Sequence, residues 1–451
     1  GRRMRLLRER DFRSFWLGET ISLFGDQISL IALPLAAVLV LDADAADMGY
    51  LTAAGLAPHL LLSLPAGVWL DRVARRRRIM ILADLLRASL VASVPVAYAA
   101  DALTMAQLYG VAFAAGCLAV FFDLSYSTVF VSITAREHYV EGNALVNGSR
   151  SFSFVGGPSV GGLLVQLFSA PFALLADAVS FLASAFFLGR VRAPEPPVEP
   201  EEGGMRAQVA TGMRFVAHSP IFRPMLAGAA TLNFFNFAFG ALFVLFATRE
   251  LGVEPGTLGA VLGAGAVGGI LGAVIAGRVG RRLGLGPAFV LGCFLFPAPL
   301  VLVPLADGPR PVILAMLFAA EFLSGLGVMI LDINVGAIIL AATPHRLRSR
   351  ATGAFRFVNY GIRVLGSLVG GLLGGRSRLG GLRPCQSAHR KPRYQGIAAR
   401  SRAARHQPLD PRAARLRQAL LAHRRQLGLR IRARAGAERA AHLYAAGQGA
   451  R

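Results

Sequence analysis

Ionisable side chains inside long apolar stretches are the first places where this sequence can do chemistry, because a charge in hydrocarbon is expensive and marks a pathway or a relay. Asp26 stands about twelve residues into an apolar run over 15–41. A carboxylate at that depth is a candidate for reversible proton binding or substrate coupling. Glu321 and Asp332 are eleven residues apart in the run 311–333, so a helix places them on one face three turns apart. Asp84 and Arg87 are spaced i, i+3 and are expected to neutralise one another. Asp177 and Arg363 are lone candidates. Asn233, Asn236, Asn334, Asn359 and Tyr360 offer hydrogen bonds either to a polar cavity or between helices. Phe234, Phe235, Phe237 and Phe239 suit a bulky amphipathic substrate or a lipid-facing surface equally well.

Two further constellations concern movement rather than chemistry. Gly67, Asp71, Arg72, Arg75 and Arg76 end the second apolar run, where a carboxylate can dock on the positive N-terminal end of a neighbouring helix. A simple basic anchor would leave the Gly67 and Asp71 spacing unexplained. Gly157, Gly161 and Gly162 form a small-residue face at i, i+4 and i+5 that lets one helix approach another, and Pro158 adds a bend. Packing alone would also account for that face.

Enzyme chemistry has no foothold here. The sequence holds no His-Glu-x-x-His and no phosphate-cradling loop, and its eight histidines lack ligand spacing. Cys117, Cys293 and Cys385 give neither a disulfide framework nor a metal site. No cofactor is expected, and without a nucleotide loop any uphill work must draw on an ion gradient.

The elements that must hold these residues follow from composition. Of 451 residues 54% are apolar and 16% charged, too few charges for a soluble domain. Windows of membrane-spanning length fall near 15–41, 49–70, 79–100, 103–124, 143–168, 171–190, 224–247, 256–277, 286–306, 311–333 and 352–375. Basic links, such as Arg72 to Arg78 and Arg278 to Arg282, alternate with acidic or neutral ones, such as Asp42 to Asp47. Basic links face the cytoplasm, so the N-terminus is expected inside. The basic opening has no small-residue cleavage site, which argues against a cleavable signal peptide.

The Pro- and Glu-rich stretch in 191–219 reads as a cytoplasmic linker between a six-helix half, 1–190, and a second half, 220–375, with five recognisable helices. An internal repeat supports that division. Phe12-Arg13 recurs as Phe222-Arg223, Arg72 as Arg278, and Gly157-x-x-x-Gly161-Gly162 as Gly366-x-x-x-Gly370-Gly371, at offsets of 210, 206 and 209. Asn236 is then the counterpart of Asp26. A twelfth span is due near 380–400, where the sequence is basic instead. Residues 376–451 hold 18 Arg and one Lys against Asp410 and Glu438, which is +17 of the +23 total. Arginine outnumbers lysine 47 to 1, as high-GC bacterial coding would give. The tail is expected to be a disordered product of a changed reading frame; a genuine basic tail for anionic lipid or nucleic acid is the alternative.

The stretch Gly67-Val-Trp-Leu-Asp71-Arg72-Val-Ala-Arg75-Arg76 resembles the loop signature of the major facilitator superfamily, with Ala74 in place of the second glycine. Gly157-Pro158-Ser-Val-Gly161-Gly162 is similar to that superfamily's antiporter signature, with Ser153 where its first glycine would stand. Phe12-Arg13-Ser-Phe-Trp-Leu-Gly, Ser22-Leu-Phe-Gly25-Asp26, Phe121-Phe-Asp123 and Gly142-Asn143-Ala-Leu resemble the macrolide-efflux and enterobactin-export branch, over about residues 10–375. The resemblance implies an all-α membrane protein of two pseudo-symmetric six-helix halves around a midplane cavity. It implies a monomeric, proton-coupled exporter of an amphipathic small molecule in a bacterial inner membrane. It also implies that Asp71 docks on span eleven, that Asp123 pairs with Arg75 to close the cytoplasmic face, and that the glycine face of span five lies between the halves. A transport-incompetent fragment lacking span twelve is the other expectation.

Overall fold

A computed structural model describes residues 6–70, 73, 75–193, 214, 218–220, 222–342 and 348–377. Asp71, Arg72, most of the expected linker and the tail from 378 onward lie outside the described residues. Eleven α-helices run through the described residues, with no strand among them: α1 (Arg10–Val40), α2 (Ala45–Leu70), α3 (Arg76–Ala99), α4 (Met105–Ile133), α5 (Tyr139–Phe168), α6 (Ala170–Gly189), α7 (Phe222–Arg249), α8 (Pro255–Leu283), α9 (Leu285–Leu295), α10 (Arg310–Ala342) and α11 (Arg348–Ser377). Ten segments are long and apolar enough to cross a membrane, and α2 adds a further helix of 26 residues. The chain is a multi-pass membrane protein.

Each expected span has its helix, because only a helix satisfies every backbone group of an apolar run internally. The exception in form is the span expected over 286–306. There α9 stops at Leu295 and the chain continues as a 3-10 turn, Ala298–Leu302, since Pro297 and Pro299 remove the amide donors that an α-helix needs. Helices end in short turns. Asp44 and Asp47 cap the start of α2 reciprocally, each backbone N–H donating to the other's carboxylate at 3.0 and 2.9 Å. Between α5 and α6 a single residue, Ser169, turns the chain at φ 85°.

The helices pack in two groups. In the first, α6 lies on α1 and α3, α4 on α2 and α3, and α5 on α1. In the second, α10 lies on α8 and α9, and α11 on α7. The groups meet along two seams, α5 on α8 and α2 on α11. One buried apolar core draws on both groups, joining Ile31, Leu35 and Val94 to Phe243, Leu258 and Val261. A second, built on Phe12, Phe15, Met80 and Phe130, belongs to the first group and lies toward the face where α1 begins.

Candidate functional site

Midway along α1, Asp26 accepts an ion-pair hydrogen bond from Nη2 of Arg87 on α3. Asp84, one turn before Arg87, is fully buried and lies 3.9 Å from Nη1 of the same guanidinium. On α6 the buried Asp177 accepts hydrogen bonds from the hydroxyls of Ser29 and Ser180, and its charge acts on Arg87. Phe181 closes the group, its ring centroid 4.0 Å from the Arg87 guanidinium carbon. The expected Asp84–Arg87 pair is thus one side of a larger cluster, and Arg87 makes its close contact with Asp26. Three carboxylates share one guanidinium. That excess of negative charge in a low-dielectric setting can be balanced by a proton. Asp26 is the accessible member, with its side chain 37% exposed against 0% for Asp84.

Sequence reasoning missed Glu19. It is buried on α1 in the electrostatic reach of Arg150, Asp123, Asp26 and Asp84. Glu19, Ser22, Asp26 and Ser29 recur at i, i+3, i+7 and i+10, one polar stripe along the inner face of α1. That periodicity was the available signal.

The glycine motif on α5 has two edges. A Cβ at Gly157 would strike Gln27, and one at Gly161 would lie 3.1 Å from Cα of Ile28, so these two seat α5 on α1. A Cβ at Gly162 would strike the Pro255 carbonyl and come within 3.0 Å of Gly259 on α8; Pro158 presents its carbonyl to Gly259 in return. The repeat reproduces this. Gly366 and Gly370 seat α11 on α7 at Phe234 and Ala238, and a Cβ at Gly371 would come within 2.7 Å of Cα of Gly49 on α2.

Where α2 crosses α11, the His59 ring stacks on Tyr360 with centroids 5.1 Å apart. Arg363, one turn further along α11, lies over the Tyr360 and Phe237 rings at 5.3 and 5.0 Å. Its Nε donates to Oδ1 of Asn233 at 3.0 Å, and the Asn233 amide donates to Asn359 at 2.9 Å. Asn233, Asn359 and Tyr360 are therefore brought together, with Asn236 on the next turn of α7. Asn334 is not among them. It is buried at the α8–α10 contact, its amide donating to the Ile330 carbonyl at 2.8 Å and its oxygen facing Gly280. Glu321 also lies at α8–α10, against Gly265. Asp332 is exposed and feels the Arg363 charge.

Polar contacts tie the two groups at the face opposite the start of α1. Arg249, ending α7, reaches Asp42 at 3.6 Å and the Val38 carbonyl at 3.5 Å. Gln166, near the end of α5, accepts from the Gly256 N–H at 3.1 Å and donates to Glu254 at 3.4 Å. Arg310 pairs with Glu254 at 3.3 Å. At the other end, Arg75 is exposed beside the start of α3, Arg76 opens that helix, Gly67 meets nothing within 4 Å, and Asp123 acts on Glu19. Asp71 and Arg72 lie outside the described residues.

The chain is similar to known proteins in sequence and in fold. The chain is 28% identical over 375 residues to the multidrug efflux pump Tap of Mycolicibacterium fortuitum, covering 77% of this chain and 85% of that protein. It is 25% identical over 366 residues to YfiS of Bacillus subtilis, an uncharacterised MFS-type transporter, covering 79% and 84%. Among solved structures, the nucleoside transporter NupG superposes with a TM-score of 0.65 at 12% identity, over 81% of this chain and 90% of that one. A bacterial homologue of the iron transporter ferroportin, in its inward-facing state, gives 0.61 at 18% identity, over 83% and 98%. Residues 15–367 match the Major Facilitator Superfamily, and the chain belongs to that family, as a transporter rather than an enzyme.

Proposed function

We propose that the chain exports amphipathic small molecules across a bacterial cytoplasmic membrane in exchange for protons, by alternating access, with its N-terminus inside. The cluster of Asp26, Asp84 and Asp177 around Arg87 carries this reading, because it is a buried, negatively unbalanced site with one open member. Protonation of Asp26 weakens its hold on Arg87 and frees the guanidinium for Asp84 and Asp177; loss of the proton restores the pair. The exchange moves charge between α1, α3 and α6, the helices that set the shape of the first group. The basic links support a cytoplasmic position for the α1 starting face. With that orientation the contacts of Arg249 and Gln166 would seal the external face, which supports reading this arrangement as an inward-facing one. Export is supported by the relatives named as efflux pumps. In this cycle Asp71, Arg72, Arg75, Arg76 and Asp123 would close the cytoplasmic face when the external seal opens, while Gly157, Pro158, Gly161 and Gly162 serve as the bearing between halves.

The test is ethidium uptake into everted vesicles energised with a pH gradient, where export appears as accumulation. Asp26→Asn is expected to lower gradient-driven accumulation at least tenfold while the protein still inserts. Undiminished, gradient-dependent accumulation in that variant removes Asp26 from the coupling site.

A further inference from the structure

We propose that Arg363, framed by Tyr360, Phe237 and His59 at the α2–α11 seam, is the binding point for an anionic group on an aromatic or amphipathic substrate. The proposal rests on the export reading for its setting and adds the charge class of the cargo. Arg363 stands midway along α11, as Asp26 stands midway along α1. Its Nε is committed to Asn233, and rings lie beside the guanidinium at Tyr360 and Phe237. Among the described residues no carboxylate lies within ion-pair distance of it; Asp332 acts on it only through space. The terminal fork, with four N–H donors, therefore remains available for a carboxylate, sulfonate or phosphonate, which an arginine fork binds bidentately. Arg87 differs, since Asp26 and Asp84 already neutralise it.

The surroundings fit such a ligand. Two aromatic rings and an imidazole give an apolar wall with a polar head at its centre, the composition typical of small-molecule pockets. Because His59 comes from α2 and Tyr360 and Arg363 from α11, the site straddles the two packing groups, and a ligand there senses their relative position. His59 also feels both Arg87 and Arg363, so the proton cluster and the anion site share a neighbour. Residue by residue, the repeat offset of 209 sets Phe154 against Arg363, so the first group offers no matching cation. One group carries the carboxylate cluster around Arg87 and the other the open guanidinium.

The experiment uses the full chain in lipid nanodiscs, with fluorescein as the anionic probe and ethidium as the cationic one, both read by fluorescence anisotropy against empty discs. Fluorescein is expected to bind the protein above the empty-disc background. Arg363→Gln is expected to lower the ratio of fluorescein to ethidium affinity at least tenfold, and Arg363→Lys to lower it less. Asp332→Asn, which removes a carboxylate charge that acts on Arg363, is expected to raise fluorescein affinity two- to threefold and does not depend on the Gln variant folding. Fluorescein binding no stronger than to empty discs, or an affinity ratio unmoved in Arg363→Gln, overturns the proposal. If fluorescein binds as expected while everted vesicles show no gradient-driven transport of either probe, the export reading fails and the anion site stands.

Discussion

Arg87 has to serve three carboxylates from two other helices and its own, and this fixes what its removal should do. Breaking a buried ionic group from one side leaves uncompensated charge and costs about 3–5 kcal/mol. Arg87→Gln is therefore expected to lower the thermal midpoint of the detergent-solubilised protein sharply. Asp26→Asn added to it should restore part of the loss, because one stranded charge is gone. A double variant no more stable than Arg87→Gln alone would refute the shared-guanidinium account. The sequence made Asp26 legible because an acid near the middle of an apolar run has few uses, but its partner was hidden. The local i, i+3 rule favoured Asp84 with Arg87, while the close contact comes from a helix 61 residues away. Glu19 was overlooked because it sits near the charged head of α1, where acids ordinarily meet solvent; α4 and α5 supply the charges that surround it. Asn334 was ambiguous in the sequence, since an amide in a span reads the same whether it lines a cavity or bonds back to its own helix, as its bond to Ile330 does.

At the scale of elements, the glycine faces of α5 and α11 decide how near the two groups can come. A branched side chain at Gly162 would meet the Pro255 carbonyl and the backbone of Gly259, neither of which is the flexible end of a side chain. Gly162→Val should therefore pry α5 from α8 where Gln166 holds Gly256 and Glu254. With a cysteine at Gln166, labelling by an impermeant maleimide from outside whole cells is expected to rise several-fold in Gly162→Val. In Gly148→Val, where a Cβ meets nothing within 4 Å, it should stay put. Equal labelling in the two backgrounds would show that the seal does not depend on the glycine contact. The helices themselves were plain in the sequence, since long apolar runs between basic and acidic links allow little else. The sealed face was not, because Asp42 and Glu254 stand in short links that look like ordinary solvated turns until their partners across the seam, Arg249 and Gln166, are known.

Across the whole molecule, the repeat that was faint in the sequence becomes a packing rule. Gly157 and Gly161 seat α5 on α1 as Gly366 and Gly370 seat α11 on α7, and Gly162 meets Gly259 as Gly371 meets Gly49. The same rule exposes an imbalance. In the first group α6 lies on both α1 and α3 and ties them together, so the repeat calls for a helix joining α7 to α9, and among the described residues none does so. The offset puts that helix near 380–400, where the chain instead carries Arg383, Arg390, Lys391 and Arg393. Each such charge at the bilayer centre costs about 2.5–3.5 kcal/mol on the insertion scale, more than the neighbouring apolar residues return. A basic segment made to bind nucleic acid would be expected to interleave aromatics for stacking, yet Tyr394 and Tyr444 are the only aromatic residues beyond 375. The expected outcome is that the encoding DNA, translated in one of its other two frames beyond residue 375, continues into an apolar segment of about 20 residues. If both alternative frames lack such a segment, the changed-frame explanation fails. The +17 tail then has to be tested as a binding element in its own right, beginning with its affinity for anionic vesicles at low and high salt.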